Sequence, residues 1–408
     1  MPSGSTRPST SGLLLDLVRT AGTLSRVELA EATGLTAGTI TNVMRDLIQG
    51  GLVHEVGRSP SARGTPRRLI QINPEAGFAV GAQLDRCTST IVLVDFAGRT
   101  LATARLPGAG QNSPQHTLDT LAEHIDGLLS GAAVARDRVL GVGLVTHGPQ
   151  DRARGTLLTT QPAPSWREYP LTRALSATLA LPVLLENDAT AAAIGEQWAG
   201  DVPTATFGVI YMASGIGGGV VVDGEVYRGR ASNTIEIGHV SMNSEGAPCA
   251  CGNRGCLEAI AGPSAIVAQA LQDRALIARV PLSGEEDQTL ADFERLARAS
   301  LSGDTAAHGL IARSAHQLGL AAVTLVNLFD LDTIVLAGSA FSSAGPQYRE
   351  QVARALSEYA LSRELSPAKA LLSANVETSA AVGGALWVLR SSATGAPGRL
   401  ALPMLLTP

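Results

Sequence analysis

Three of the chain's four cysteines, Cys249, Cys251 and Cys256, fall within eight residues, in the run Cys-Ala-Cys-Gly-Asn-Arg-Gly-Cys-Leu-Glu. Ten residues before the first stands His239, in Glu236-Ile237-Gly238-His239. Three thiolates and one imidazole make a complete tetrahedral shell for zinc, and a shell with no open position is structural. Cys249 and Cys251 are too close for an easy disulfide, and Gly252 and Gly255 let a short loop return Cys256 to the same ion. Buried free thiols or a disulfide are the plainer alternatives. With zinc bound, Glu236, His239 and Glu258 are all held around one point.

Two further stretches carry groups suited to chemistry. Asn187-Asp188 follows a short apolar run and opens a small-residue helix, a strand end of the kind where α/β folds place their sites. A carboxylate there can take a proton from a substrate hydroxyl, or it can merely cap the helix that follows. The run Ala213-Ser214-Gly215-Ile216-Gly217-Gly218-Gly219 can cradle phosphate with backbone N–H groups, or it can be a tight hairpin that needs positive φ.

These residues need a scaffold. A chain of 408 residues with 45% hydrophobic side chains supports two or three domains, and with 3% aromatics its cores must be filled by Leu, Val, Ile and Ala. No uninterrupted apolar run of about 18 residues stands out, so no membrane span is expected. Residues 1–11 are rich in Ser, Thr and Pro without an apolar secretory core, and read as a flexible lead-in. Reduced, metal-binding thiols then fit a cytoplasmic protein. The net charge of −5 is uneven: eight arginines against five carboxylates give residues 1–72 a charge of +3, leaving −8 on the remainder. A basic end on an acidic body suggests one nucleic-acid-binding module.

Residues 12–73 have the pattern of a winged helix-turn-helix. A first helix starts near Leu13. Ser25 and Glu28 form a capping box for a second helix over 26–32. Thr36 caps a third over 37–49, with Ile40, Val43, Met44, Leu47 and Ile48 facing inward. Its other face offers Thr36, Thr39, Thr41, Asn42 and Arg45, whose hydroxyls, amide and guanidinium suit groove edges and phosphates. Strands at 52–56 and 69–72 flank a wing in which Arg58, Arg63, Arg67 and Arg68 can reach phosphates or a minor groove. A solvated linker is the alternative for the wing, and a protein-interaction module for the helices.

From Gly77 strands alternate with helices: a meander at 79–106, a helix at 117–129, strands at 139–145, 183–185 and 206–212, and a hairpin at Asp223-Gly224. A long apolar helix spans 306–329, a strand 333–336 and a last helix 379–389. The body is expected to cover 77–390 and a loosely attached tail 391–408.

Together these pieces resemble the ROK family (repressors, open reading frames and kinases) from about residue 10 to 390. The cysteine loop behind Glu-Ile-Gly-His carries the resemblance most specifically, followed by Asn187-Asp188 and the glycine run. The resemblance implies an actin-like, two-lobed α/β body, sugar kinase-like, with sugar in the cleft and a C-terminal helix returning to the first lobe. It implies that Asn187, Asp188, Glu236, His239 and Glu258 hydrogen-bond the sugar, with His239 serving zinc through one nitrogen and sugar through the other. Asp188 matches the catalytic base of the kinase members. Kinase members open the body with Asp-x-Gly-Gly-Thr, where this chain has Gln83-Leu84-Asp85-Arg86-Cys87. Side chains would fill the phosphate space, Asp85 would repel phosphate, and Arg86 would offset that in part. Ala213-Ser214 replaces a Gly-Thr pair, and Ala337-Gly338-Ser339-Ala340 stands where a Gly-Gly pair meets adenosine. ATP is therefore not expected, and Asp188 becomes a vestigial base. The expectation is a sugar-responsive regulator, a repressor that binds a palindromic operator as a homodimer or homotetramer. The alternative is a sugar kinase that has gained a DNA-binding module.

Overall fold

The computed structural model describes residues 10–58, 67–199 and 202–392. Helix α1 (Thr10–Ala21) leads to a short strand β1 (Leu24–Ser25), then α2 (Arg26–Thr33) and α3 (Ala37–Gln49). Thr10 and Ser11 belong to α1, so the lead-in is shorter than expected; its first nine residues lie outside the described ones. The Ser25 hydroxyl accepts from the Glu28 N–H, and the Ser25 N–H donates to the Glu28 carboxylate, completing the capping box. Gly34 ends α2 with φ +68°, and Thr36 caps α3 through the Thr39 N–H. The wing strands are β2 (Val53–Arg58) and β3 (Arg68–Ile72). β1 pairs with β3 and completes a three-stranded sheet; two residues gave too short a pattern to read.

The first lobe has β4 (Phe78–Leu84), β5 (Thr88–Asp95), β6 (Thr100–Pro107), α4 (Pro114–Gly131), β7 (Val139–Thr146), a ribbon of β8 (Gln150–Asp151) and β9 (Thr156–Leu157), α5 (Leu171–Leu179) and β10 (Val183–Asn187). Helix α6 (Asp188–Ala199) crosses to the second lobe, which opens with β11 (Phe207–Met212), β12 (Ile216–Val222) and β13 (Glu225–Val226). Helices α7 (Leu257–Ala261), α8 (Pro263–Ala270), α9 (Arg274–Arg279), α10 (Thr289–Leu301) and α11 (Thr305–Phe329) follow. Strand β14 (Thr333–Ala337), α12 (Phe341–Tyr359), β15 (Lys369–Leu372) and α13 (Ser379–Ser392) complete the described chain. Ser391 and Ser392 finish α13, so the tail begins later than expected, and 393–408 lie outside the described residues.

The two lobes repeat one plan. The first sheet runs β10-β7-β4-β5-β6 and the second β15-β14-β11-β12-β13. Each has an antiparallel three-strand meander with two parallel strands added at one edge. This is the actin-like architecture.

α11 is long and apolar enough, by composition, to cross a membrane. Its buried face, including Leu310, Ile311, Leu318, Val323 and Val326, instead fills the core of the second lobe against Phe293, Phe341 and Tyr348. α6 and α13 meet almost backbone to backbone. A Cβ on Gly383 would lie 1.7 Å from the Ala191 carbonyl oxygen, and one on Gly195 2.5 Å from that of Ser379. Glycine is required at both contacts.

Candidate functional site

The cysteine loop folds into a knot. The Cys249 N–H donates to the Asn253 carbonyl at 2.8 Å, and Gly252 and Gly255 adopt φ of +95° and +59°. At Gly255 a Cβ would fall 1.7 Å from the Asn243 carbonyl oxygen. The ligand atoms of His239, Cys249, Cys251 and Cys256 all lie within 4.8 Å of one another. Cys249 Sγ stands 3.7 Å from His239 Nδ1, and Cys251 Sγ 3.7 Å from Cys256 Sγ. Tetrahedral thiolates on zinc stand about 3.8 Å apart, from metal–sulfur bonds of about 2.3 Å. The donor set and its spacing thus fit a metal ion, and none of the four cysteines forms a disulfide.

The knot is built into the cleft wall. His239 ends the turn Ile237–His239 that follows Glu236, and Cys256 immediately precedes α7, which carries Glu258. His239 turns Nδ1 to the cysteines. Glu258 Oε2 accepts the Ile216 N–H at 2.8 Å, tying α7 to the glycine turn between β11 and β12. That turn is a tight hairpin in which the Ala213 N–H meets the Gly215 carbonyl at 3.0 Å, although no residue from 213 to 219 takes the positive φ expected of it.

On the facing wall, β7 and β10 run parallel with Thr146 opposite Asn187, so both strands end at one level. Asn187 Oδ1 accepts the Thr190 N–H at 3.0 Å and is the cap of α6, while Asp188 Oδ1 accepts the Ala189 N–H at 2.8 Å. The helix-start role and the cleft position therefore coexist. Gly148 is a position that the sequence reading passed over. A Cβ there would lie 2.9 Å from Glu236 Oε1 and 3.2 Å from Asn187 Nδ2. A side chain there would have to displace the Glu236 carboxylate, so Gly148 leaves room for carboxylate and amide to approach from the two lobes. Asn233 was also missed: its amide accepts from the Gln150 N–H and donates to the Gln150 carbonyl, clipping the second lobe to the loop after Gly148. The signal available was His147-Gly148-Pro149, ending a buried strand beside that of Asn187.

Electrostatics sets the state of this cleft. Burial, with Asp85 and Glu236 nearby, pushes the Asp188 carboxyl up to about 8. Burial also raises Glu236, with His239 opposing the shift and Glu258 adding to it. A carboxyl raised this far can donate a hydrogen bond to an acceptor near neutral pH.

The stretch facing the glycine turn is occupied from within. Asp85 accepts the Ser214 hydroxyl, the Ser214 N–H at 3.3 Å and the Cys87 N–H at 3.0 Å. Its carboxylate therefore occupies the Ser214 backbone donor. Arg86 does not offset that charge as expected: it turns away to Glu286 at 2.8 Å and to the Pro162 carbonyl at 3.3 Å. Gln83 donates to the buried Tyr211 hydroxyl, a further bond between the lobes.

On α3, Thr36, Thr41, Asn42 and Arg45 are exposed on one face with Thr39 half-exposed among them. Thr36 is also the cap, and Arg45 bonds to Asn42. In the wing Arg67 and Arg68 are exposed, and Arg68 pairs with Glu55. Arg58 closes β2 opposite Arg68, and Arg63 lies outside the described residues.

A two-lobed actin-like body with a polar interlobe cleft and an N-terminal helix-turn-helix defines the class. Residues 81–392 match the ROK family, and the chain belongs to that family. It is 30% identical over 336 residues to the DNA-binding transcriptional dual regulator NagC of Escherichia coli (strain K12), covering 80% of each chain. It is 27% identical over 333 residues to the xylose repressor of Bacillus subtilis (strain 168), covering 81% of this chain and 82% of that one. A crystal structure of a ROK family transcriptional regulator, a homologue of the E. coli MLC protein, superposes with a TM-score of 0.70 at 25% identity, covering 93% of this chain and 96% of the other.

The raised Asp188 has a measurable consequence. An unfolded Asp loses its proton near about pH 3.9. The folded chain keeps the extra proton to about pH 8, so stability falls as pH rises between those values and is level above them. Asp188→Asn is therefore expected to melt within a degree or so of wild type near pH 4 and several degrees higher at pH 8.5. An equal offset at both pH values in thermal denaturation contradicts the assignment.

Proposed function

We propose that the chain is a sugar-responsive transcriptional repressor whose body binds a sugar and whose N-terminal module binds operator DNA. The observation that carries this reading is Asp85. Its carboxylate sits on the Ser214 N–H and hydroxyl, so the phosphate loops are bonded to each other and present negative charge. The sugar side of the cleft keeps its groups, from Asn187 and Asp188 on one wall to Glu236, His239 and Glu258 on the other. Conversion of the phosphate site with retention of the sugar site describes a sensor better than a kinase. Asp188, protonated at neutral pH, serves as a hydrogen-bond donor to a sugar oxygen, and no catalytic role is assigned to it.

Zinc is the metal that best suits three cysteines and a histidine, and its chemistry here is to hold folded structure together. His239 then orients Nε2 toward the sugar, and the knot fixes Glu236 and Glu258 at either end. Relatives of this chain are named xylose repressor and N-acetylglucosamine repressor, so a pentose or an N-acetylhexosamine belongs in the first panel of effectors. DNA contacts are assigned to Thr36, Thr39, Thr41, Asn42 and Arg45 in a major groove, and to Arg58, Arg63, Arg67 and Arg68 at phosphates or a minor groove. A homodimer or homotetramer in the cytoplasm would place two recognition helices about 34 Å apart on a palindrome. Sugar closes the lobes and changes that spacing, with a coupling of about 1–3 kcal/mol.

Two outcomes follow. Cys251→Ser is expected to lose bound zinc and lower the melting temperature; unchanged metal content by plasma mass spectrometry removes Cys251 from the ligand set. Selection from random duplexes is expected to return an inverted repeat whose affinity one sugar changes about 5–150-fold and Arg45→Ala weakens without altering sugar affinity. Failure to enrich any sequence, or enrichment indifferent to every sugar, contradicts the repressor reading.

A further inference from the structure

The N-terminal module is fused to the first lobe rather than tethered to it. Leu14, Leu15 and Val18 of α1 share one apolar core with Phe96, Ala385 and Leu386. Arg19 fastens the same helix: its side chain is 3% exposed, its Nε donates to the Phe96 carbonyl at 3.2 Å, and its guanidinium lies 4.6 Å from the Trp198 ring and 5.3 Å from that of Phe96. Trp198 belongs to the last turn of α6, the helix that begins at Asp188 in the cleft.

A second connection runs through α13. Arg390 is shared between Asp16 of α1, at 3.5 Å, and Glu225 of β13 in the second lobe, at 2.6 Å. One turn earlier, Trp387 stacks under Arg228 at 4.4 Å and Arg152 at 5.5 Å. Both arginines pair with the fully buried Glu186, at 2.7 and 3.2 Å. Glu186 Oε1 in turn accepts the N–H of Asn187 at 3.0 Å. The segment from Glu225 to Arg228 thus reaches from the second lobe to one face of α13 at two points, beside the strand end that carries Asn187.

We propose that this face of α13 is the relay between sugar and DNA: Arg228 and Glu225 report the position of the second lobe, and Arg390 transmits it by dividing its charge between Glu225 and Asp16. Movement of the second lobe shifts Glu225 and Arg228 together. When Glu225 withdraws, Arg390 passes wholly to Asp16 and changes how α1, and the recognition helix packed on it, is held. The two states differ in whether one guanidinium is shared with Glu225 or held by Asp16 alone, a discrete switch that both ends can bias. This relay rests on the sugar-responsive reading, and its test separates the two.

Amide exchange of α1 in the full chain is the readout. Arg228→Gln, which touches no residue of α1 and leaves Arg152 on Glu186, and the exposed Glu225→Gln are each expected to change α1 exchange about threefold or more without any sugar. Arg279→Gln, which breaks an unrelated surface pair with Asp304, is expected to leave α1 unchanged. Unchanged α1 exchange in both Arg228→Gln and Glu225→Gln overturns the relay. With millimolar D-xylose, D-glucose or N-acetyl-D-glucosamine, a sugar that raises the melting temperature is expected to alter α1 exchange in wild type and not in Glu225→Gln. A sugar that stabilises the chain yet leaves α1 unaltered overturns the relay and keeps the sensor. No stabilisation by any sugar, with α1 still responding to Arg228→Gln, keeps the relay and overturns the sensor.

Discussion

The close crossing of α6 and α13 is the constraint on which the other features depend. Glycines at 195 and 383 let two helices touch through their backbones, and Gly81 and Gly143 let α13 lie equally close to the first sheet. Interiors packed this tightly move as blocks, because no slack remains to absorb a shift. α6 begins at a candidate sugar ligand and ends at the tryptophan that clamps α1. α13 packs on α6 and on the first sheet, and it carries the arginine shared with the second lobe. A packing rule for small side chains thereby becomes a geometry that joins cleft and DNA-binding module.

Charge sets what the cleft can accept. Asp85, Asp188, Glu236 and Glu258 are half-buried carboxyls gathered at the cleft. Asp85 is tied to Ser214, Glu258 to the Ile216 N–H, and Asp188 retains its proton. A neutral polyol that offers hydroxyls to such groups enters at low electrostatic cost, whereas a triphosphate meets carboxylates at each step. The bonds from Gln83, Asp85 and Arg86 across the lobes also supply cohesion on the side where nucleotide would bridge them.

Much of this was legible in the sequence because the signals were local. The capping box at Ser25, the Thr36 cap, the cysteine spacing and the strand before Asn187 each fall within a few residues; the two caps stand where expected, and the strand runs on from its expected end at Leu185 to Asn187. What escaped depends on distant pairing. The two-residue β1 exists only because β3 lies beside it. Gly148 matters because Glu236 approaches from the other lobe, and Arg86 turns toward Glu286, two hundred residues further on. Helices α7 to α10 and α12 are held by tertiary packing and alternate with no clear strand signal, so the second lobe was read only in outline.

The central claim is that one cleft has kept its sugar and given up its nucleotide. Titration calorimetry of the zinc-loaded chain tests it directly, with D-xylose, D-glucose and N-acetyl-D-glucosamine on one side and magnesium ATP on the other. The expected result is saturable heat from at least one sugar and none from ATP, with or without that sugar present. Saturable binding of ATP would mean that the Asp85–Ser214 bridge yields to phosphate, and would contradict the account.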